Sequence, residues 1–252
     1  MSELRDNRAN TVARLRQRIA CNQSSTGGFG AFVLRLLDAR EDDVVLDIGP
    51  GLGNHFIPVA ERVRRIVGLD ISEEMVRELR ERANRDNTTV VAGDMDDLDR
   101  LDLGAPFTLV YSVYSLYYSR DPARVVKLVA ALLAGARARL VCVTPDEGNN
   151  AAWYADLGKL YEVQADALEV PYVCRRVILP AFGDTFSEVH TTPYEDRVRF
   201  PTLEALMAYY DACAPYCRPD KREDALRYFG AKIAADGFYE LTKRSLGIVG
   251  VL

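Results

Sequence analysis

Residues 43–53, DVVLDIGPGLG, constrain the fold more than any other stretch. An apolar run ends at Asp47 and Ile48, and Gly49, Gly51 and Gly53 follow at alternate positions. A short apolar run bounded by glycine reads as a buried strand. The glycines allow a tight turn in which backbone can approach a ligand closely, and the helix that follows offers free N–H groups.

The rhythm of this unit repeats. HFIPVAERV begins a helix, RIVGLDIS is a second strand, and Ser72 is placed to cap a helix with Glu73 and Glu74 in its first turn. TTVVAGD (88–94) is a third strand, FTLVYSV (107–113) a fourth, and Asp121-Pro122 starts another helix before a fifth strand, RLVCVTP (139–145). Strands alternating with helices of this length indicate a parallel, doubly wound sheet. Upstream, Val12, Leu15 and Ile19 recur at helical spacing, and the polar, glycine-rich CNQSSTGGFG (21–30) separates them from a second helix through Leu37. After Pro145 the pattern changes: 149–168 read as helical, 170–201 as rich in strands and turns, 203–213 and 222–235 as helical. The terminal FYELTKRSLGIVGVL reads as a hairpin or a pair of strands.

The expected chain is therefore one domain over 1–252. Residues 1–38 form a helical N-terminal lid, 39–146 a ligand-binding core, and 147–252 a C-terminal elaboration with the terminal strands. The segment 10–30 is expected to fold over the ligand.

Composition narrows the function. Lys and Arg number 32 against 37 Asp and Glu, a net charge of −5, which argues against a dominant nucleic-acid or anionic-membrane partner. The five cysteines are odd in number and form no spaced framework, as expected of reduced thiols in a cytosol. Cys213 and Cys217 flank Pro215, and with only His55 and His190 to complete a set, no metal site is expected. No apolar run reaches the roughly 18 residues of a membrane span, and the Arg-rich N-terminus lacks an apolar core. A cytoplasmic protein is expected, and a homodimer is compatible with the sequence.

A dinucleotide site calls for G-x-G-x-x-G, which would put Asn54 at its third glycine. The sequence instead reads D-x-G-x-G-x-G, with Asp47 two residues before Gly49. An acid there repels a pyrophosphate but suits an ammonium group. Two further acids stand at strand ends, Asp70 in Gly-Leu-Asp-Ile-Ser and Asp94 in Ala-Gly-Asp-Met.

On these motifs, over about residues 40–145, the chain resembles class I S-adenosylmethionine-dependent methyltransferases of the small-molecule type related to the ubiquinone and menaquinone enzymes (methyltransferase type 11). The resemblance implies a Rossmann-like, seven-stranded, mostly parallel sheet with an acceptor-side insertion after the core. S-adenosyl-L-methionine is the implied cofactor and S-adenosyl-L-homocysteine its product. It implies that Asp47, Gly49, Gly51 and Gly53 form the cofactor turn and that Asp70 binds the ribose hydroxyls. Ile71 would pack on adenine, Asp94 would accept from the adenine amino group beside Met95, and Ser112 would lie near the methionine arm. His55 belongs to the packing around the cofactor. Thr108 stands where the family carries an acid in its fourth strand.

LVYSVYSLYY (109–118) divides at Ser112. Along a strand Tyr111 shares a face with Leu109 and Val113, opposite Val110 and Ser112, and is a packing residue. Tyr114, Tyr117 and Tyr118 fall in the following loop, which by resemblance faces the methyl group, and they are expected in the acceptor pocket. Methyl transfer needs alignment and exclusion of water, and a base only for an acceptor that arrives protonated. Tyr117 and His190, the latter with Glu188 on its face, are the candidate catalytic residues, and His190 is also expected in the pocket. Arg175 and Arg176 could receive an acidic acceptor or be solvated surface.

The function expected is methyl transfer to oxygen, nitrogen or carbon of a small molecule, in specialised or quinone-type metabolism. Methylation of protein or RNA is the first alternative, although the Asp-Pro-Pro-Tyr-type tetrapeptide is missing after the fourth strand. A non-methylating cofactor-binding or regulatory protein is the second.

Overall fold

A computed structural model describes residues 11–21, 27–213 and 217–252. Seven strands form one sheet: β1 (Val44–Ile48), β2 (Arg65–Asp70), β3 (Thr88–Ala92), β4 (Leu109–Val113), β5 (Arg139–Pro145), β6 (Glu188–Phe200) and β7 (Tyr239–Val251). Their order is β3-β2-β1-β4-β5-β7-β6. The first five strands pair in parallel, and β7 runs antiparallel to both β5 and β6. The doubly wound, mostly parallel sheet read from the sequence is the fold observed.

The helices are α1 (Val12–Cys21), α2 (Phe29–Leu37), α3 (Phe56–Ala60), α4 (Glu73–Arg82), α5 (Pro122–Leu132), α6 (Ala151–Leu157), α7 (Ala165–Val173), α8 (Leu179–Thr185), α9 (Leu203–Ala212) and α10 (Arg222–Asp236). Ser72 and Asp121 cap α4 and α5, accepting from Met75 N and Arg124 N. Period-two alternation buries both faces of the parallel strands. Leu46 and Val110 pack beneath α5 and α8, while Val45, Leu109 and Tyr111 pack beneath α2, α3 and α4. Tyr111 is fully buried on the face predicted for it.

Two expectations for the C-terminal part need correction. Residues 170–186, expected as strands and turns, are helical: α7 runs through a π-helical turn at Cys174–Ile178 into α8. Val and Ile in this stretch suggest strands and its prolines suggest turns, but Cys174, Ile178, Ala181 and Phe182 recur at helical spacing and are buried. Their packing beside α5 overrides local propensity. The terminal segment is one 13-residue strand rather than a hairpin. Its hairpin partner is the equally long β6, joined to it through α9 and α10.

Thr108 makes up for the family's missing acid with a neighbour's. Its hydroxyl donates to Asp43 Oδ1 at 2.6 Å, and Asp43 Oδ2 takes Arg139 Nη2 at 3.1 Å. This tie lies at the N-terminal ends of the strands, remote from the glycine turn.

A third apolar cluster, with Trp153, Phe200, Tyr209, Phe229 and Tyr239 at its centre, builds the C-terminal elaboration. Helix α1 spans the two halves. Val12 packs on Leu52 and Met75, Arg16 pairs with Glu78 of α4, and Gln17 Nε2 donates to Ala208 O of α9 at 2.9 Å. Of the glycine-rich segment 21–30, residues 22–26 lie outside the described residues. No helix among the described residues is long and apolar enough to cross a membrane.

Candidate active site

The strand ends that carry the motifs open into a cavity of about 450 Å3, within the range of small-molecule sites. One end is the glycine turn. Gly49, Gly51 and Gly53 all have positive φ, at 78°, 52° and 81°. A Cβ on Gly49 would collide with the side chain of Ser115, so only glycine fits there, and Gly49 and Ser115 line the cavity together. Ser115 is itself fixed, donating to Ile48 O and accepting from Ser112 at 2.6 Å.

Asp70 is buried beside the turn. Oδ2 accepts from Gly51 N at 3.1 Å and Oδ1 from Ser72 N at 2.9 Å. Burial raises its pKa, and the two backbone hydrogen bonds pull the other way. A carboxylate has more acceptor sites than these two bonds use. The remainder suit the paired hydroxyls of a ribose, and the bare backbone at Gly49 suits a ligand laid across the turn. The site thus fits a nucleoside cofactor with an extended arm.

Other predicted residues take different places. Asp47 is only 2% exposed and lies behind the turn, opposite Tyr111 in the sheet, and not on the cavity wall. Burial pushes its carboxyl well above the usual range, because the strand that carries it has both faces covered. Ser112 is likewise buried and reaches the cavity only through Ser115. Ile71, Asp94 and Met95 lie outside the enclosed part. Ile71 is 49% exposed, Asp94 caps the next turn through Asp96 N and faces Arg120 at 3.5 Å, and Met95 packs on the core. Together they make an open ledge along the ends of β2 and β3.

The opposite wall is aromatic. Tyr114, Tyr117 and Tyr118 all line the cavity, joined by Phe29 of α2, Tyr154 of α6 and Tyr209 of α9. Tyr114 adopts φ +57°, unusual for a bulky residue. It is held by Tyr114 N donating to Val143 O, by its hydroxyl 2.7 Å from Ser245 Oγ, and by edge contact with Phe29. Burial pushes the Tyr114 phenol up to about 12 and the Tyr117 phenol well up, so neither is an anion near neutrality. His55 lines the cavity with its pKa lowered to about 4 by burial, and is a neutral imidazole.

His190 must be corrected. It sits on edge strand β6 with its side chain 69% exposed, 3.6 Å from an equally exposed Glu188, and does not line the cavity. The residues of β6 that do are Tyr194, Asp196 and Val198, of which Tyr194 is the nearest, four positions on and about 13 Å away along an extended strand. Arg175 is also unavailable to an acceptor, because its guanidinium forks onto Asp146 with two contacts of 2.7 Å. Arg176 pairs with Glu169 and stacks over Tyr172.

The sequence reading missed Lys243 and Asp196, register partners on β7 and β6 that both line the cavity. Period-two alternation places Lys243 on one face with Leu241 and Ser245, both buried, which is the one signal that could have found it.

Residues 45–135 match the family model described as a methyltransferase domain. A curated relative, the 23S rRNA (uracil(1939)-C(5))-methyltransferase RlmD of Xanthomonas campestris pv. campestris, is 41% identical over 80 residues. That match covers 31% of this chain and 18% of the relative, so the chain spans under a fifth of that protein's length. The YcgJ protein of Bacillus subtilis superposes with a TM-score of 0.57 at 14% identity, covering 88% of this chain and 97% of the other. Geranyl diphosphate C-methyltransferase from Streptomyces coelicolor A3(2) superposes with a TM-score of 0.52 at 17% identity, covering 89% and 78%. At these identities the superpositions speak to the fold.

Proposed function

We propose, from the premise that residues 45–135 are a class I S-adenosylmethionine-dependent methyltransferase domain, that the chain methylates a small-molecule acceptor. The observation that carries this reading is the continuity of one cavity from the bare glycine turn to the tyrosine wall. A cofactor at the first end and an acceptor at the second would meet inside it, away from bulk water.

When bound, S-adenosyl-L-methionine supplies an electrophilic methyl group on a sulfonium. Gly49, Gly51 and Gly53 would hold its arm against bare backbone, with Asp47 buried behind the turn as part of its support. Asp70 would hold the ribose, and Ile71, Asp94 and Met95 would take the adenine on their open ledge. Ser112 would act through Ser115. Tyr114, Tyr117 and Tyr118 would fix the acceptor's orientation and exclude water, contributions that together can amount to several kcal/mol. Tyr117 is read here as a wall and not a base, because its buried phenol resists ionisation.

The rRNA-modifying relative raises the alternative of an RNA acceptor. The enclosed cavity and the net charge of −5 favour a small molecule instead. A cytoplasmic setting is supported by the five cysteines, all present as free thiols.

Mass spectrometry of the purified protein tests the cofactor, with S-adenosylhomocysteine as the expected copurifying species. A screen of small-molecule acceptors with isotope-labelled methyl donor then tests the reaction. No binding of S-adenosylhomocysteine by calorimetry would sink the reading.

A further inference from the structure

Lys243 is the one lysine on the cavity wall. It projects from β7 beneath α9, and among the described residues its only hydrogen bond runs from Nζ to Tyr209 Oη at 2.7 Å. No carboxylate among the described residues lies within ion-pair distance of it. Asp196, directly across the ladder, accepts instead from Arg197 N at 2.7 Å. An ammonium has three donors, so two of them are left for the cavity. A partly desolvated cation with no carboxylate in ion-pair contact is costly to maintain, and three of the other four lysines are paired. Lys159 and Lys232 both reach Asp156, and Lys221 reaches Asp224.

The charged and titratable groups that act on Lys243 come from three packed elements: Arg18 of α1, Cys213 just after α9, and Asp196 of β6. Burial, reinforced by Arg18 and opposed by Cys213 and Asp196, lowers its pKa to about 8, which leaves it mostly charged at neutral pH. Tyr209 lies against it, and the wall of the same cavity carries the rings of Tyr114, Tyr117, Tyr118, Tyr154 and Phe29. Such a wall takes a flat apolar body.

We propose that Lys243 anchors an oxygen anion, a carboxylate or an ionised phenol, on an aromatic methyl acceptor. This deepens the methyltransferase reading by assigning the acceptor's chemistry. The anion completes the donors Tyr209 leaves unused, and the tyrosine wall takes the ring, fixing its orientation toward the glycine-turn end.

Calorimetry on the full-length protein saturated with S-adenosylhomocysteine tests this, with benzoate and benzamide as one pair of probes and 4-nitrophenolate and nitrobenzene as the other. At least one anion should bind about tenfold or more tightly than its neutral counterpart, as expected of a charge-assisted contact. Preference within the first pair alone assigns a carboxylate, and within the second alone a phenolate. Lys243→Met should abolish the preference and Lys243→Arg should retain part of it, both with unchanged S-adenosylhomocysteine affinity and an unreduced melting temperature. Equal binding within both pairs overturns the proposal, undetectable binding of all four probes included. So does a preference that survives in Lys243→Met. If S-adenosylhomocysteine does not bind, the methyltransferase reading fails separately, and the same comparisons on the bare protein still decide Lys243.

Discussion

Two removed charges in the C-terminal half, Asp156 and Lys243, are treated in opposite ways. Asp156 is buried and saturated. Oδ1 accepts from Lys159 at 2.8 Å and Tyr228 at 2.6 Å, and Oδ2 accepts from Lys232 at 2.7 Å and Tyr239 at 2.9 Å. Lys243 stands four positions from Tyr239 on the same strand and makes one hydrogen bond. A saturated charge fastens elements together, here α6, α10 and β7. An unsaturated one lining a cavity holds binding capacity in reserve. Asp70 is intermediate, with its two backbone contacts made and its remaining acceptor sites free for a ligand.

The comparison breaks most visibly at Asp156. Asp156→Ala removes the common acceptor of two ammonium groups and two phenols, and should cost about 3 kcal/mol of stability in urea unfolding. Burial alone would raise the pKa of Asp156, but its four donors outweigh that and hold it well below the usual carboxylate range. Its contribution is therefore present above the unfolded value of about 3.9 and is lost as pH falls through the lower folded value. Acid unfolding of Asp156→Asn should show a correspondingly weaker dependence on pH.

Asp70→Ala comes next. Stability should change little, while S-adenosylhomocysteine affinity in calorimetry should fall at least tenfold, or about 1.4 kcal/mol. An unchanged affinity would remove Asp70 from the intermediate class.

Lys243→Met should have the opposite sign on stability. Removing an unpaired ammonium from a desolvated site should stabilise the bare protein by about 1 kcal/mol, the pattern expected where function, not folding, keeps a residue. The folded pKa of about 8 lies below the ordinary 10.5, so the penalty on the native protein is full below pH 8. It is relieved as pH rises from the folded value to the unfolded one. The stability difference between variant and parent, read from urea midpoints at several pH values, should shrink across that range.

The smallest effect is expected at Tyr117, which lines the cavity but packs its ring 4.5 Å from Tyr118. Tyr117→Phe should cost under about 1 kcal/mol in thermal unfolding. Its pH–rate profile should match the parent's, since the phenol is not the proton acceptor.

The placing of the glycine turn and Asp70 at one cavity was legible because these residues are local to strand ends in the chain. Each acid or glycine follows a strand directly, and a parallel sheet brings successive strand ends to one edge. Thr108 could be read as a harmless departure because its position lay at the far end of its strand. The acceptor half gave no such purchase. Lys243 and Asp196 become neighbours only through a ladder that joins positions 47 apart in the chain, and in the sequence Lys243 resembles any strand lysine. His190 drew notice as one of two histidines, yet its surroundings depend on which face of an edge strand meets water. The helical run at 170–185 was hidden by β-branched residues that favour strands and by prolines that favour turns, and its burial beside α5 prevails over those preferences.

Helix α1 contributes Leu15, Arg18 and Ile19 to the cavity wall while tied to α4 on one side and α9 on the other. If ligands exchange past this helix, at least one tie has to loosen. The Arg16 side chain in the α4 tie is 57% exposed, so dissolved salt weakens that pairing. Turnover limited by product escape would therefore quicken with ionic strength even where affinity for the acceptor anion declines. The two trends would together give a salt optimum set by a surface helix on one side and by the chemistry beneath it on the other.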